Sequence, residues 1–321
     1  MSMLALRCPA RLCAGLSVAG VTAAFVVTAN CIDRHTPRPP QQVVCMTADA
    51  RRIYATRADE TRTLFTAPDA WPAIAAFSYQ EEKNVLAVLT APLPIGSGRV
   101  TLHFVGADGT IGRGIQTERA YVYSAALDPS GTKLACISPG RDGQEEEAWV
   151  IDSEGQSQEV LRGHLLNPRW SSDGRYLLIP LAEHLPEGNR RYGVARVEMP
   201  PGTAKDLSYL PGVISVDAGG ASGGRLVCID ERGAVFFLAQ PAGTRTELPV
   251  PKNISDPQLG PEIRFLHGTD SVVIRHRGKP KDHLYLLTPP YREAVVLSET
   301  AWTQGWAVAS HIGIGQWEKK R

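Results

Sequence analysis

Short apolar runs alternate with polar turns containing glycine or proline along almost the whole chain. Asn167 to Pro180, NPRWSSDGRYLLIP, shows the unit: an apolar strand, a polar turn, a second apolar strand. Asp and Gly accept turn dihedrals that other residues resist, so two such runs around Ser-Asp-Gly predict a β-hairpin. The unit recurs. AIAAFSYQEEKNVLAVL from Ala73, YVYSAALDPSGTKLACIS from Tyr121, NPRWSSDGRYLLIP, VISVDAGGASGGRLVCID from Val213 and EIRFLHGTDSVVIRH from Glu262 can be laid over one another. Their second strands align at Leu86, Leu134, Leu177, Leu226 and Val272, at intervals of 48, 43, 49 and 46 residues.

A second hairpin accompanies each of these, as in RRIYATRADETRTLF, VTLHFVGADGTIGRGI and AWVIDSEGQSQEVL. The turns of this second series fall at Asp59, Asp108, Gly155, Gly202, Gly243 and Tyr291, spaced by 49, 47, 47, 41 and 48 residues. There are thus six second hairpins and five complete first ones. The chain enters the pattern near Gln42 with VVCMT and a complete second hairpin. It leaves with GWAVASHIGIGQW, which supplies the missing first strand or two. Four strands per unit at a period in the forties is the arithmetic of a propeller blade. The expected fold is all-β: a six-bladed β-propeller of four-stranded blades over residues 42–321. Strands from both chain ends would share one blade, which closes the ring and removes its open edges.

The first forty residues break the pattern. Arg7 and Arg11 precede a charge-free run of 21 residues, Leu12 to Ile32, and the proline-rich TPRPP follows. Basic residues before an apolar run are the mark of an export signal. Three fates fit: cleavage after Val27-Thr28-Ala29, retention as a membrane anchor helix, for which the run is long enough, or lipidation at Cys31, where Asn30 departs from the small residue such sites prefer. Residues 1–32 are therefore read as signal peptide or anchor and 33–41 as a linker. All three fates place the body outside the cytoplasm, whether secreted, periplasmic or tethered to the outer side of the cytoplasmic membrane.

Composition narrows the partners. Lys plus Arg number 34 against 33 acidic residues, so no global field exists to hold nucleic acid or an anionic membrane. Of six cysteines, only Cys45, Cys136 and Cys228 lie in the body, too few for a disulfide framework. Cys136 and Cys228 sit in apolar strand patterns and are expected to be small buried hydrophobes.

WVIDSEGQSQEVLRGHLLNPRWSSDGRYLLIP, Trp149 to Pro180, resembles the repeat of TolB-like propellers, in which an aromatic-hydrophobic-Asp strand, a Gly turn and a Leu strand lead into Pro-x-Trp-Ser-x-Asp-Gly. RRIYATRADETRTLF and SAALDPSGTKLACIS look like weaker copies. The likeness covers Gln42 to Trp317, but its matching positions are turn and core residues, so it speaks for fold far more than for function. It implies an envelope location, in agreement with the first forty residues.

Candidate chemistry is sparse. Gly220 to Gly224 fits GxSxG, but a nucleophile elbow needs a helix after it and RLVCID reads as a strand, so a hairpin turn is expected. The eight histidines contain no HExxH, with His164, His184, His267 and His311 in different units. Asp128, Asp173 and Asp270 are read as turn-stabilising residues, and Trp149, Trp170 and Phe265 as core aromatics. Glu145-Glu146-Glu147 is read as a solvated loop.

The face carrying loops between second and third strands remains: APLPIGSGR, SPGRDGQEEE, LAEHLPEGNRR, DERG and RHRGKPKDH are long and charged. Rim loops on a rigid scaffold are the usual place for binding. Arg275, His276, Arg277, Lys279 and Lys281 form a basic patch, and His184, Arg190 and Arg141 are further rim candidates. The expected function is a non-catalytic module, monomeric and without cofactor or metal, that binds a protein or envelope component through this rim. The alternative is a metal-dependent hydrolase or lyase using the central channel. A pure spacer is disfavoured because the rim loops exceed what ring closure needs.

Overall fold

Alternation of side chains along each strand organises the molecule. In a computed structural model, residues 42–301 are described except 47–49, 58–59, 81, 93–96, 141, 187–188, 201–204, 208, 221–223, 240–242, 258–259, 266–268 and 277–280. The apolar run at 12–32, the linker and the C-terminal GWAVASHIGIGQW lie outside the described residues, and with them the expected anchor helix and ring closure. Among the described residues no helix is long and apolar enough to cross a membrane.

The described residues are built from antiparallel sheets laid out in chain order. The first has three strands, β1 (Gln42–Met46), β2 (Arg52–Arg57) and β3 (Glu60–Thr66). A four-stranded sheet follows, β4 (Ala73–Gln80), β5 (Val85–Ala91), β6 (Thr101–Val105) and β7 (Ile115–Gln116). Next come β8 (Ser124–Leu127), β9 (Lys133–Pro139), β10 (Glu146–Asp152) and β11 (Ser157–Leu165), and after them β12 (Arg169–Trp170), β13 (Tyr176–His184), β14 (Arg190–Glu198) and β15 (Lys205–Asp206). Two further four-stranded sheets are β16 (Val213–Gly219) to β17 (Arg225–Asp230), β18 (Val235–Ala239) and β19 (Arg245–Glu247), then β20 (Glu262–Phe265) to β21 (Val272–His276), β22 (Lys281–Leu287) and β23 (Ala294–Ala301).

The repeat is regular except at one junction. β11 pairs with β10 up to Glu146↔Gly163, then crosses to β13 through His164↔Ala182 and Leu165↔Leu181. Gly163 makes the crossing at φ 146°, a conformation that side chains oppose. Two four-strand units thereby become one sheet running from β8 to β15. The opening hairpin is correspondingly short on one side. Pro168 has no N–H to give a ladder, and β12 is confined to Arg169↔Leu178 and Trp170↔Leu177.

The turns obey the residue chemistry read from the sequence. Asp128 Oδ1 accepts from the backbone N–H of Thr132 at 2.9 Å and of Lys133 at 2.8 Å, with Gly131 at φ 76°. In the equivalent turn, Asp173 Oδ1 accepts from Arg175 N–H at 3.1 Å, with Gly174 at φ 70°. Asp270 differs: its carboxylate takes Arg225 of the preceding sheet, while its carbonyl accepts from the Tyr291 hydroxyl at 2.8 Å. Strands β16 and β17 flank the GxSxG segment, as a hairpin requires.

Both faces of most sheets are buried, so alternate residues of one strand serve different cores. Leu134 and Cys136 join a cluster with Phe77 and Leu89, whereas Ala135 and Ile137 join another with Trp170 and Leu177. Leu226 and Cys228 pack with Leu178 and Val194; Val227 and Ile229 pack with Ile263 and Ile274. Trp149, Trp170 and Phe265 are buried. Side chains also lace one sheet's first strand to the next. Leu127 N–H donates to Ser78 Oγ at 2.8 Å, Ile263 N–H to Ser215 Oγ at 3.0 Å, and Phe265 N–H to Asp217 Oδ2 at 2.8 Å. These spans of 49, 48 and 48 residues are the sequence repeat realised as contacts.

Candidate functional site

The crossing of β11 assembles one stretch of rim from separate units. His184 and Arg190 face each other across the ends of β13 and β14, both exposed, and beside them Glu183 accepts from Arg191 Nε at 3.0 Å. His164 and His184, which the hairpin alignment puts in different units, meet edge-to-face with ring centroids 4.4 Å apart. His164 Nδ1 lies 3.6 Å from Glu146 Oε2, and the same carboxylate accepts from Leu165 N–H at 3.3 Å. Tyr123 stands edge-on to Tyr121 at 4.9 Å and is 47% exposed. Burial first, and then electrostatic repulsion from Glu146 and from Tyr121, raise its hydroxyl pKa. Leu166, two residues after His164, is 42% exposed. Exposed Tyr123 and Arg190 are of the residue types that protein interfaces favour.

The basic loop is placed differently. Arg277 and Lys279 lie outside the described residues, as does Arg141; His276 ends β21 opposite His283, and Lys281 opens β22 opposite Ala301. Arg275 is not an exposed rim cation. It sits opposite Glu262 in the β20–β21 ladder, 8% exposed, with Nη1 3.6 Å from Glu262 Oε2. Strand alternation turns this guanidinium inward and a carboxylate holds it there.

The acidic run also needs correction. β10 begins at Glu146, and its alternation carries Glu147 into the interior, where Arg119 and Arg162 pair with it, the latter at 2.7 Å. Its two arginines offset the cost of that burial.

A second charged cluster lies between first strands of successive sheets, and the sequence reading passed over it. Arg169 of β12, 3% exposed, donates to Pro168 O and places Nη2 2.9 Å from Glu262 Oε1 of β20 and Nε 3.8 Å from Asp217 Oδ1 of β16. Arg264, two residues after Glu262, donates from Nη2 to the same Oε1. Burial pushes the Asp217 carboxyl up to about 7, against the opposing pull of Arg169 and of the Phe265 and Ala218 N–H groups, with Glu262 adding a further upward push. The signal available beforehand was a charge within each apolar strand, PRW, SVDAG and EIRF. Among the described residues, no three His, Cys, Asp or Glu side chains come together in a way that holds a metal ion.

No family model matches the sequence, and no curated protein does. Solved structures match it in fold. TolB from Acinetobacter baumannii is 12% identical over 84% of this chain and 67% of its own, with a TM-score of 0.58. A TolB-assigned structure from Agrobacterium tumefaciens is 11% identical over 84% and 93%, TM-score 0.55. A nidogen/laminin complex is 13% identical over 81% and 93%, TM-score 0.53. At such identities the likeness is one of fold: the chain is all-β and propeller-like.

Proposed function

We propose that the chain is an exported or membrane-tethered, non-catalytic six-bladed propeller that binds a protein or cell-envelope component through its loop rim. The observation that carries this reading is a rim that bears the Tyr121–Tyr123 pair and the His164–His184 pair joined by the β11 crossing, with Tyr123, Leu166, His184 and Arg190 exposed. The fold supports it indirectly: TolB structures share the architecture, and one neighbour is a complex of two proteins. The apolar run at 12–32 supports export, and residues 42–321 supply the propeller. Arg275 is withdrawn from the rim by its burial, leaving His276 and Lys281 as flanks of the Arg277–Lys279 loop.

The test is affinity capture of tagged full-length protein from detergent-solubilised membranes of its host, with mass spectrometry of partners and of the mature N-terminus. A stoichiometric partner is expected, lost in a Tyr123→Ala/Arg190→Glu double variant that keeps the wild-type melting midpoint. A capture with no saturable partner removes the binding-module reading. The mature N-terminus decides among cleavage after Ala29, an intact anchor and a lipid on Cys31.

A further inference from the structure

His103 of β6 is 9% exposed, and its Nδ1 is buried with no hydrogen-bond partner among the described residues. The Trp71 indole stacks on the ring, with centroids 3.7 Å apart and planes at 22°. The backbone at Gly114 closes on the ring's edge, where a Cβ would come within 2.8 Å of Cε1. Trp71 belongs to the linker from β3 to β4 and also meets Phe65 of β3, with centroids 5.7 Å apart. Arg51, between β1 and β2, fixes the linker by donating to Trp71 O at 2.7 Å and to Pro68 O at 2.6 Å. Phe65, Trp71 and His103 thus run as one aromatic bridge from the first sheet to the second.

We propose that this bridge is a proton-operated latch, closed while the His103 imidazole is neutral and released when the ring takes a second proton. A neutral imidazole can leave one nitrogen as a bare acceptor, but an imidazolium carries an N–H on both. At Nδ1 that donor would be charged, buried and unsatisfied, a cost greater than the attraction of a cation to an indole face. Burial accordingly lowers the pKa from the ordinary 6.5, against a hydrogen bond to the Gly112 backbone. The charged groups on the surrounding elements do not contribute to that shift. Arg51 and Asp69 beside the linker lie 3.8 Å from each other, Asp108 accepts from Thr110 N–H at 2.9 Å, and Arg113 is exposed. Glu60 and Arg62 stand at the start of β3, and β5 and β7 carry no charge. With Trp71 swung aside the ring meets water and takes its proton near 6.5, so acid favours the open form. The open-to-closed ratio rises by up to about tenfold for each pH unit below that value. The latch does not rest on the binding role of the rim.

The experiment is amide hydrogen exchange on the detergent-solubilised full-length protein at about pH 7.5 and about pH 5.5, corrected for the intrinsic rate at each. The readout is the protection of Trp71 and Ile74 N–H, which donate to the Pro68 and Ala50 carbonyls and hold the linker. Protection is expected to fall by about five- to tenfold at the lower pH in wild type. It stays level in His103→Gln, whose side chain is polar but does not titrate. Should glutamine not be tolerated, Trp71→Leu removes the indole and with it the pH dependence, leaving the two amides equally protected at both pH values. Asp217 titrates in the same range with the opposite sign, so it does not mimic the acid loss. Wild-type protection that is unchanged at the lower pH, or an equal acid loss in either variant, overturns the proposal.

Discussion

Asp217 is the member of the inner cluster that titrates in an accessible range. Its folded pKa of about 7 stands above the ordinary 3.8, so between these values the folded protein holds a proton that the unfolded chain has released. Stability therefore falls as pH rises from about 4 to 7 and levels off above, the reverse of a salt-bridged carboxylate. Asp217→Asn removes this slope while keeping an acceptor for Phe265 N–H, and denaturation midpoints across that range should show the variant gaining on wild type with rising pH. A difference that stays flat would show that Asp217 is not the group titrating over that range. Charges in PRW, SVDAG and EIRF were visible in the sequence. What each faces was not, because partners 48 to 93 residues away are set by how successive sheets stack. For the same reason Arg275 reads as part of a basic run but is turned inward by Glu262 across the ladder.

Turns are the elements that a local reading captures best, since Asp, Ser and Gly act on backbone groups only a few residues away. Ser171 Oγ accepts from Tyr176 N–H at 2.9 Å and Gly174 N–H donates to Ser171 O at 2.9 Å, within one Ser-Ser-Asp-Gly turn. Gly174→Ala forces a side chain onto φ 70°, and the expected cost of about 1–2 kcal/mol is measurable by chemical denaturation. Ser215→Ala deletes the lace to Ile263 N–H. Because that N–H is buried, a loss of about 1–3 kcal/mol is expected from the same measurement. The lacing and the β11 crossing had no local signature: LRGHLLN reads as strand end and loop until Pro180 and Leu181 are placed beside it. That crossing is also what joins His164 to His184, so their pairing escaped detection although His184 and Arg190 were legible as rim residues.

At the scale of the molecule, the hairpin period conveyed the propeller-like plan because both faces of each sheet need apolar residues, which leaves nearly continuous runs between turns. Burial in that stack raises the thiol pKa of Cys136 and of Cys228, and the two lie in different cores. Alkylation of both should therefore wait for global unfolding and proceed at one shared rate. Labelling of either in the native state, or at separate rates resolved by peptide mapping, would mean that the sheets open independently. The continuous sheet from β8 to β15 bears on how the molecule yields to force. Single sheets stretched end to end can release one at a time, each adding its own contour length. Ser124–Asp206, sharing one ladder, should give way as a single longer increment, leaving in a pulling trace a step roughly twice the size of those from its neighbours.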